Sequence, residues 1–195
     1  MMAAALRPQA VLSLTLCEPP AFQLAPRSAE AQQMSCDLGR HLQCPGDDAE
    51  WLRAFLAIIG RDLVIPDQLP PPLAQGVRAI RAVRRRPWEG ELPVDQLATA
   101  SFPKLVISGN HSPAFEAVCD ALAARLQAHR AQVTGAGHAT PDTGDAFNET
   151  LASFISASPP RSPGGSCGNN RSRQAKGEGC GPGGTGQSGP RPKGR

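Results

Sequence analysis

Lys104-Leu-Val-Ile-Ser-Gly109, Asn110-His111-Ser112-Pro113 and Ala131-Gln-Val-Thr-Gly-Ala-Gly-His138 decide how this chain folds. Leu105, Val106 and Ile107 form a short unbroken apolar run closed by Gly109, the pattern of a strand buried on both faces. Ser112 is a good helix N-cap, and Pro113 sits at the first helical position, where its missing N–H costs nothing. Phe115, Val118, Cys119, Leu122 and Leu126 then recur at helical spacing, with Asp120 and Arg125 off that stripe. Ala131 to Thr134 reads as a second short strand. Gly135 and Gly137 allow a sharp turn and leave His138 on a loop just past its end. Phe147, Leu151, Phe154 and Ile155 give a closing amphipathic helix.

Strand, helix, strand, loop histidine and helix make half of an open parallel α/β sheet, whose chemistry belongs in the loops at the strands' carboxyl ends. Leu-Val-Ile-Ser-Gly109, the helix from Pro113, Gly-Ala-Gly-His138 and the helix behind it resemble the C-terminal end of the α/β-hydrolase fold. In that family the triad runs nucleophile, acid, histidine along the chain, and the histidine follows the last strand. The resemblance implies that His138 takes the nucleophile's proton and returns it to the leaving group.

Upstream, Met1 to Leu6 is alanine-rich and helical in preference, and Ala10 to Leu16 is strongly strand-like, followed by Cys17, Glu18 and two prolines. In the family's terms this stretch is similar to the tail of the helix behind the nucleophile and then the sixth strand. Glu18 would then stand at that strand's carboxyl end, an alternative location for the triad acid. The other reading makes it a surface glutamate opening a proline turn. The usual acid position, after the seventh strand, holds Ser112, which cannot stabilise an imidazolium as a carboxylate would. Asp120 lies on the helix, pointing away from the strand ends. His111 reads as a pocket-lining or surface residue rather than a second base.

Pro26 to Asp47 is polar and irregular by pattern. Asp47 and Asp48 can cap a helix carrying Trp51, Leu52, Phe55, Leu56 and Ile59 on one side, ended by Gly60. A proline-rich linker, Pro66 to Pro72, precedes a second helix with Leu73, Val77, Ile80 and Val83 on one stripe. Arg84, Arg85 and Arg86 close it as a solvated terminus or as a phosphate or carboxylate site. Inserted between two strands, residues 26–100 are similar to the helical lid of many α/β-hydrolases. Trp51, Phe55 and Ile59 then line an acyl or aromatic pocket, or simply hold the lid to the core.

Charge separates the tail from the rest. From Pro160 onward seven basic residues face only Glu178, which makes that segment +6 and leaves −3 for residues 1–159 of a chain whose net charge is +3. The core's mild acidity gives nucleic-acid binding no support. Residues 159–195 are rich in glycine, proline, serine and arginine, with almost nothing apolar to bury, so composition predicts disorder. Arg-Gly-Gly repeats and interleaved aromatics, which would mark an RNA-binding tail, do not occur. The six cysteines form no C-x-x-C pair and no metal-ligand spacing, so neither a metal nor a cofactor is expected and a reducing cytoplasm is the simpler compartment. The opening segment lacks the charge order and small-residue site of a signal peptide, and no stretch reaches membrane-spanning length.

The nucleophile is missing. No G-x-S-x-G occurs, and no Ser, Cys or Asp sits on a strand-to-helix elbow before Glu18. The sequence therefore predicts an α/β fold with a partial parallel sheet of about three strands. Residues 1–25 and 101–158 form its core, 26–100 a lid-like insertion and 159–195 a disordered tail. Glu18 and His138 are its candidate catalytic residues. The expected family activity is hydrolysis of an ester- or amide-type bond in a small apolar substrate, with this chain a truncated and inactive form: the product of a misplaced start codon, of a degenerate gene, or a fragment that pairs with a separate N-terminal half. The alternative is a non-catalytic ligand-binding or regulatory protein that keeps the pocket. Neither nucleic acid nor membrane is an expected partner.

Overall fold

The computed structural model describes residues 1–158. Helix α1 (Met2–Leu6) leads into β1 (Leu14–Cys17). Then come α2 (Ala29–His41), α3 (Asp48–Ile58), α4 (Pro71–Arg81), α5 (Val94–Thr99), β2 (Lys104–Ser108), α6 (Pro113–Leu126), β3 (His129–Gln132) and α7 (Asp145–Ala157). The strands form one parallel sheet in the order β1-β2-β3. Leu16 pairs with Val106 and Val106 with Arg130, so the carboxyl ends of all three strands lie together.

All five residues of the central strand are buried, as its continuous apolar run requires. Alternation along β2 divides them between two layers. Val106 packs with Phe115, Val118, Leu122 and Leu126 of α6, while Leu105 and Ile107 pack with Val133 and Phe154 beside α7. Helix α6 in turn rests against α2 and α5. Each Leu, Val or Phe so buried contributes about 1.5–3 kcal/mol. A smaller cluster of Trp51, Leu52 and Val77 joins α3 to α4.

Several boundaries differ from expectation. Pro8–Ala10 forms a 3₁₀ turn and Leu12 is exposed, so β1 starts only at Leu14. The sequence run from Ala10 is apolar throughout, but only its last residues reach a partner strand. β3 lies two residues earlier than Ala131–Thr134. Val133 still donates its N–H to Ser108 O at 2.8 Å, and the chain then turns through Ala136 N–H to Val133 O. Residues 29–41 are helical rather than irregular. Ser28 Oγ accepts the Ala31 N–H, and Ala31, half-buried Met34, Leu38 and His41 form a narrow inward stripe set among polar residues, which simple hydropathy overlooks.

Asp47 caps α3 through the N–H groups of Ala49 and Glu50, as expected. Ser112 precedes α6 but makes no side-chain cap; Glu116 instead accepts the Asn110 N–H. Arg84–Arg86 lie beyond the end of α4, where Arg85 donates to Glu89 O and Arg86 pairs with the Glu89 carboxylate. The tail expected from residue 159, including Cys167 and Cys180, lies outside the described residues. Among the described residues no helix is long and apolar enough to cross a membrane.

Candidate functional site

Glu18 follows β1 and extends its ladder, donating its N–H to Ile107 O at 3.1 Å. Its backbone then turns to φ 37, a strained value for a residue with a side chain. The turn sends the carboxylate into the protein, where only 1% of the residue is exposed. This excludes the surface-glutamate reading. Oε1 accepts the Gly109 N–H at 2.6 Å from the end of β2.

Oε2 lies 2.8 Å from Nδ1 of His138. The loop carrying His138 bends at Gly135 (φ 83) and Gly137 (φ 61). It also presses onto the end of β2: a Cβ on Gly109 would stand 2.0 Å from Gly137 O. Gly109 is therefore required by close backbone approach, and that approach seats His138. The His138 ring lies against Phe115, with centroids 4.6 Å apart. The sequence-predicted pair thus meets across 120 residues of chain.

His111, read from sequence as lining or surface, belongs to the same cluster. Its Nε2 lies 3.1 Å from Ile59 O at the end of α3. A carbonyl only accepts, so Nε2 carries the proton. Its Nδ1 then faces Glu18 Oε1 at 3.3 Å, is buried and has no hydrogen-bond partner. The chain passes close by at Gly60, where a Cβ would fall 2.6 Å from the ring. The readable signal was position: Asn110-His111 follows a buried parallel strand at its carboxyl end.

His138 borders two cavities. One, of about 230 Å³, is lined by Leu38, Phe55, Ile59, Trp88, Phe115 and His138 among other residues, and holds no Asp, Glu, Lys or Arg. The other, of about 320 Å³, is more polar and runs between Gly60–Leu63 and Gly135–Ala139 beside the Arg61–Asp142 ion pair. Phe55 and Ile59 thus reach the apolar cavity. Trp51 does not line it; it stacks on His41 at 4.7 Å and donates to His41 O.

Ser112 lines a shallow cleft with α2 residues, and Asp120 pairs with Arg130; neither carries the acid facing His138. Neither nearby thiol is poised as a nucleophile. Burial pushes the Cys17 thiol up, with the Glu18 charge adding, and burial pushes Cys119 up to about 12. Among the described residues, no group hydrogen-bonds His138 Nε2, which leaves that nitrogen free for a substrate or a nucleophile.

No family model, curated protein or solved structure matches the chain.

Proposed function

We propose that residues 1–158 are the acid–base and pocket-bearing part of an α/β-hydrolase-like catalytic unit acting on an ester- or amide-type bond in a small apolar substrate. The Glu18–His138 contact at the carboxyl ends of parallel strands, beside an apolar cavity, carries this reading. Glu18 holds the Nδ1–H tautomer of His138 and stabilises the imidazolium once Nε2 has taken a proton. His138 then delivers that proton to the leaving group. Helices α2–α4 serve as the lid, and Phe55 and Ile59 contact the substrate's apolar part. The free thiols Cys17, Cys36, Cys44 and Cys119 support a reducing, cytoplasmic location.

Hydrolysis also needs a nucleophile and oxyanion donors. The 195 residues hold no G-x-S-x-G, so a complementing N-terminal half has to supply both. The protein alone should show no hydrolysis of short p-nitrophenyl esters above the buffer rate. Extended through in-frame upstream residues that include such an elbow, it should hydrolyse them, and H138A should lower the rate about 10⁴-fold or more. An upstream frame without a nucleophile, or an extended H138A protein as active as its parent, sinks the catalytic reading.

The apolar cavity supports a second reading, that of a non-catalytic binding protein for small apolar ligands. Saturable binding of an apolar fluorescent probe by the 195-residue protein, blocked by Leu38→Trp and unaffected by H138Q, favours it. Absence of probe binding removes it.

A further inference from the structure

Glu18, His111 and His138 come from three separate loops, and their nearest donor atoms all lie within 4.8 Å of one another. No sequence spacing announces this set. Two features separate it from an ordinary hydrogen-bonded cluster.

The first is an electrostatic conflict. With the His111 proton on Nε2, Nδ1 keeps a bare lone pair, is itself buried without a hydrogen-bond partner, and lies 3.3 Å from a carboxylate oxygen. A buried acceptor left unpaired beside a carboxylate is answered by a cation, either a second ring proton or a metal ion. The second is the backbone carbonyl behind the ring. A histidine that ligates a metal commonly donates its other N–H to a carbonyl or carboxylate, which fixes the bare nitrogen toward the ion. Ile59 O does this for His111.

Two of the donor separations are those a small divalent ion sets, and the three donors together lie within 4.8 Å. Donors around a tetrahedral zinc, with bonds of about 2.0–2.1 Å, stand about 3.3 Å apart, and they close to about 2.9 Å when the site expands. His111 Nδ1–Glu18 Oε1 is 3.3 Å and His138 Nδ1–Glu18 Oε2 is 2.8 Å. We propose that His111 Nδ1, His138 Nδ1 and the Glu18 carboxylate form a zinc-class divalent-metal site. Two imidazoles and one carboxylate suit Zn²⁺ and leave a coordination position for water beside the cavities.

Occupancy has a chemical consequence. The ion replaces the proton on His138 Nδ1, which leaves to solvent, so metal binding and the Glu18–His138 proton pair exclude each other. The site rests on its own donor atoms and not on the hydrolase reading.

The test uses the chelator-treated 195-residue protein titrated with Co²⁺ and then Zn²⁺. The expected result is one saturable Co²⁺ with visible d–d absorption that Zn²⁺ abolishes, and paramagnetic shifts on the assigned ring signals of His111 and His138. H111A should weaken Zn²⁺ binding by at least roughly 100-fold, beyond the about 10–100-fold lost on removing a supporting group. H129A, at an exposed ring outside the cluster, should not change it. No saturable Co²⁺ binding, or binding that shifts neither ring, overturns the site. Because those shifts are read on the unmutated protein, they decide the matter even where H111A fails to fold.

Discussion

Glu18 and Glu116 both bind the turn that follows β2, and they are held in opposite ways. Glu116 takes the Asn110 N–H, the Ser108 hydroxyl, the Gln132 amide and the Arg130 guanidinium, the last at 2.5 Å. Its partners are neutral donors and a cation whose charge never changes. Glu18 takes one amide and faces two imidazoles, whose ring nitrogens can either donate or accept. Both carboxylates fasten the same turn. Only Glu18 faces groups that can themselves donate or accept.

The largest expected effect attacks the support that the Glu18 side depends on. Gly109→Ala places a Cβ against the Gly137 carbonyl, which is backbone and cannot rotate away. We expect a loss of about 3 kcal/mol or more in urea unfolding, since overpacking against fixed atoms sits at the top of its usual range. The Nδ1–H signal of His138 should change in the same variant while the Glu116–Arg130 pair persists. Unchanged stability would mean that the loop is not pinned at Gly109.

Next comes the direct contrast. Glu18→Ala strips the Gly109 N–H and His138 Nδ1 of their acceptor in a site with 1% exposure, and should cost about 2–3 kcal/mol. Glu116→Gln keeps the shape, and its partners are partly solvated, so about 1–2 kcal/mol is expected. Equal losses in matched urea titrations would erase the distinction drawn between the two groups.

That distinction was partly legible in the residues. Leu105-Val-Ile107 has the pattern of an interior strand, and Gly135-Ala-Gly137 that of a sharp turn before His138, so the fold class and the loop position of that histidine were both readable. Glu18 was readable as a strand-end residue, though its inward turn depends on a left-handed backbone that no propensity announces. The contacts of His111 were not readable because they come from Ile59 O, 52 positions away in chain order, and from a carboxylate further still. Helix α2 was missed for a different reason: Ala31, Met34, Leu38 and His41 bury a face that is apolar only in part. β1 was drawn too long because Val11 and Leu12 match a strand in composition yet have no neighbour to pair with. Local chemistry specifies an element only where the tertiary partner agrees with it.

Acid gives a smaller and more selective probe. Burial pushes the Glu116 carboxyl up, but hydrogen bonds from Ser108 and Gln132 and the Arg130 charge outweigh it and hold the group below its ordinary value. A depressed folded value stabilises the protein above the unfolded carboxyl range, near about 4.3. That contribution is lost as pH falls through the folded value. Stability of the parent should therefore drop as pH is lowered below about 4.3, and E116Q should show a flatter fall over the same interval. An identical slope in both proteins would remove Glu116 from the acid response.

The smallest effect is an expected silence at Cys119, which feels both carboxylates. Burial is the main reason its thiol is pushed up to about 12; Arg130 opposes that rise, and Glu18, Glu116 and Asp120 add to it. A thiol so placed offers almost no thiolate at neutral pH and has no access to solvent. In native protein Cys36 and Cys44, both exposed, should react with a disulfide reagent, while Cys119 reacts only at the rate of unfolding. E116Q should leave this silence intact, because it removes a minor charge and not the burial. Glu18→Ala should shorten the silence through lower stability alone, with labelling that tracks the unfolding free energy. Rapid labelling of Cys119 in either variant at full native stability would show that the layer between α6 and β2 opens locally. The two carboxylates would then be coupled through that layer and not held independently.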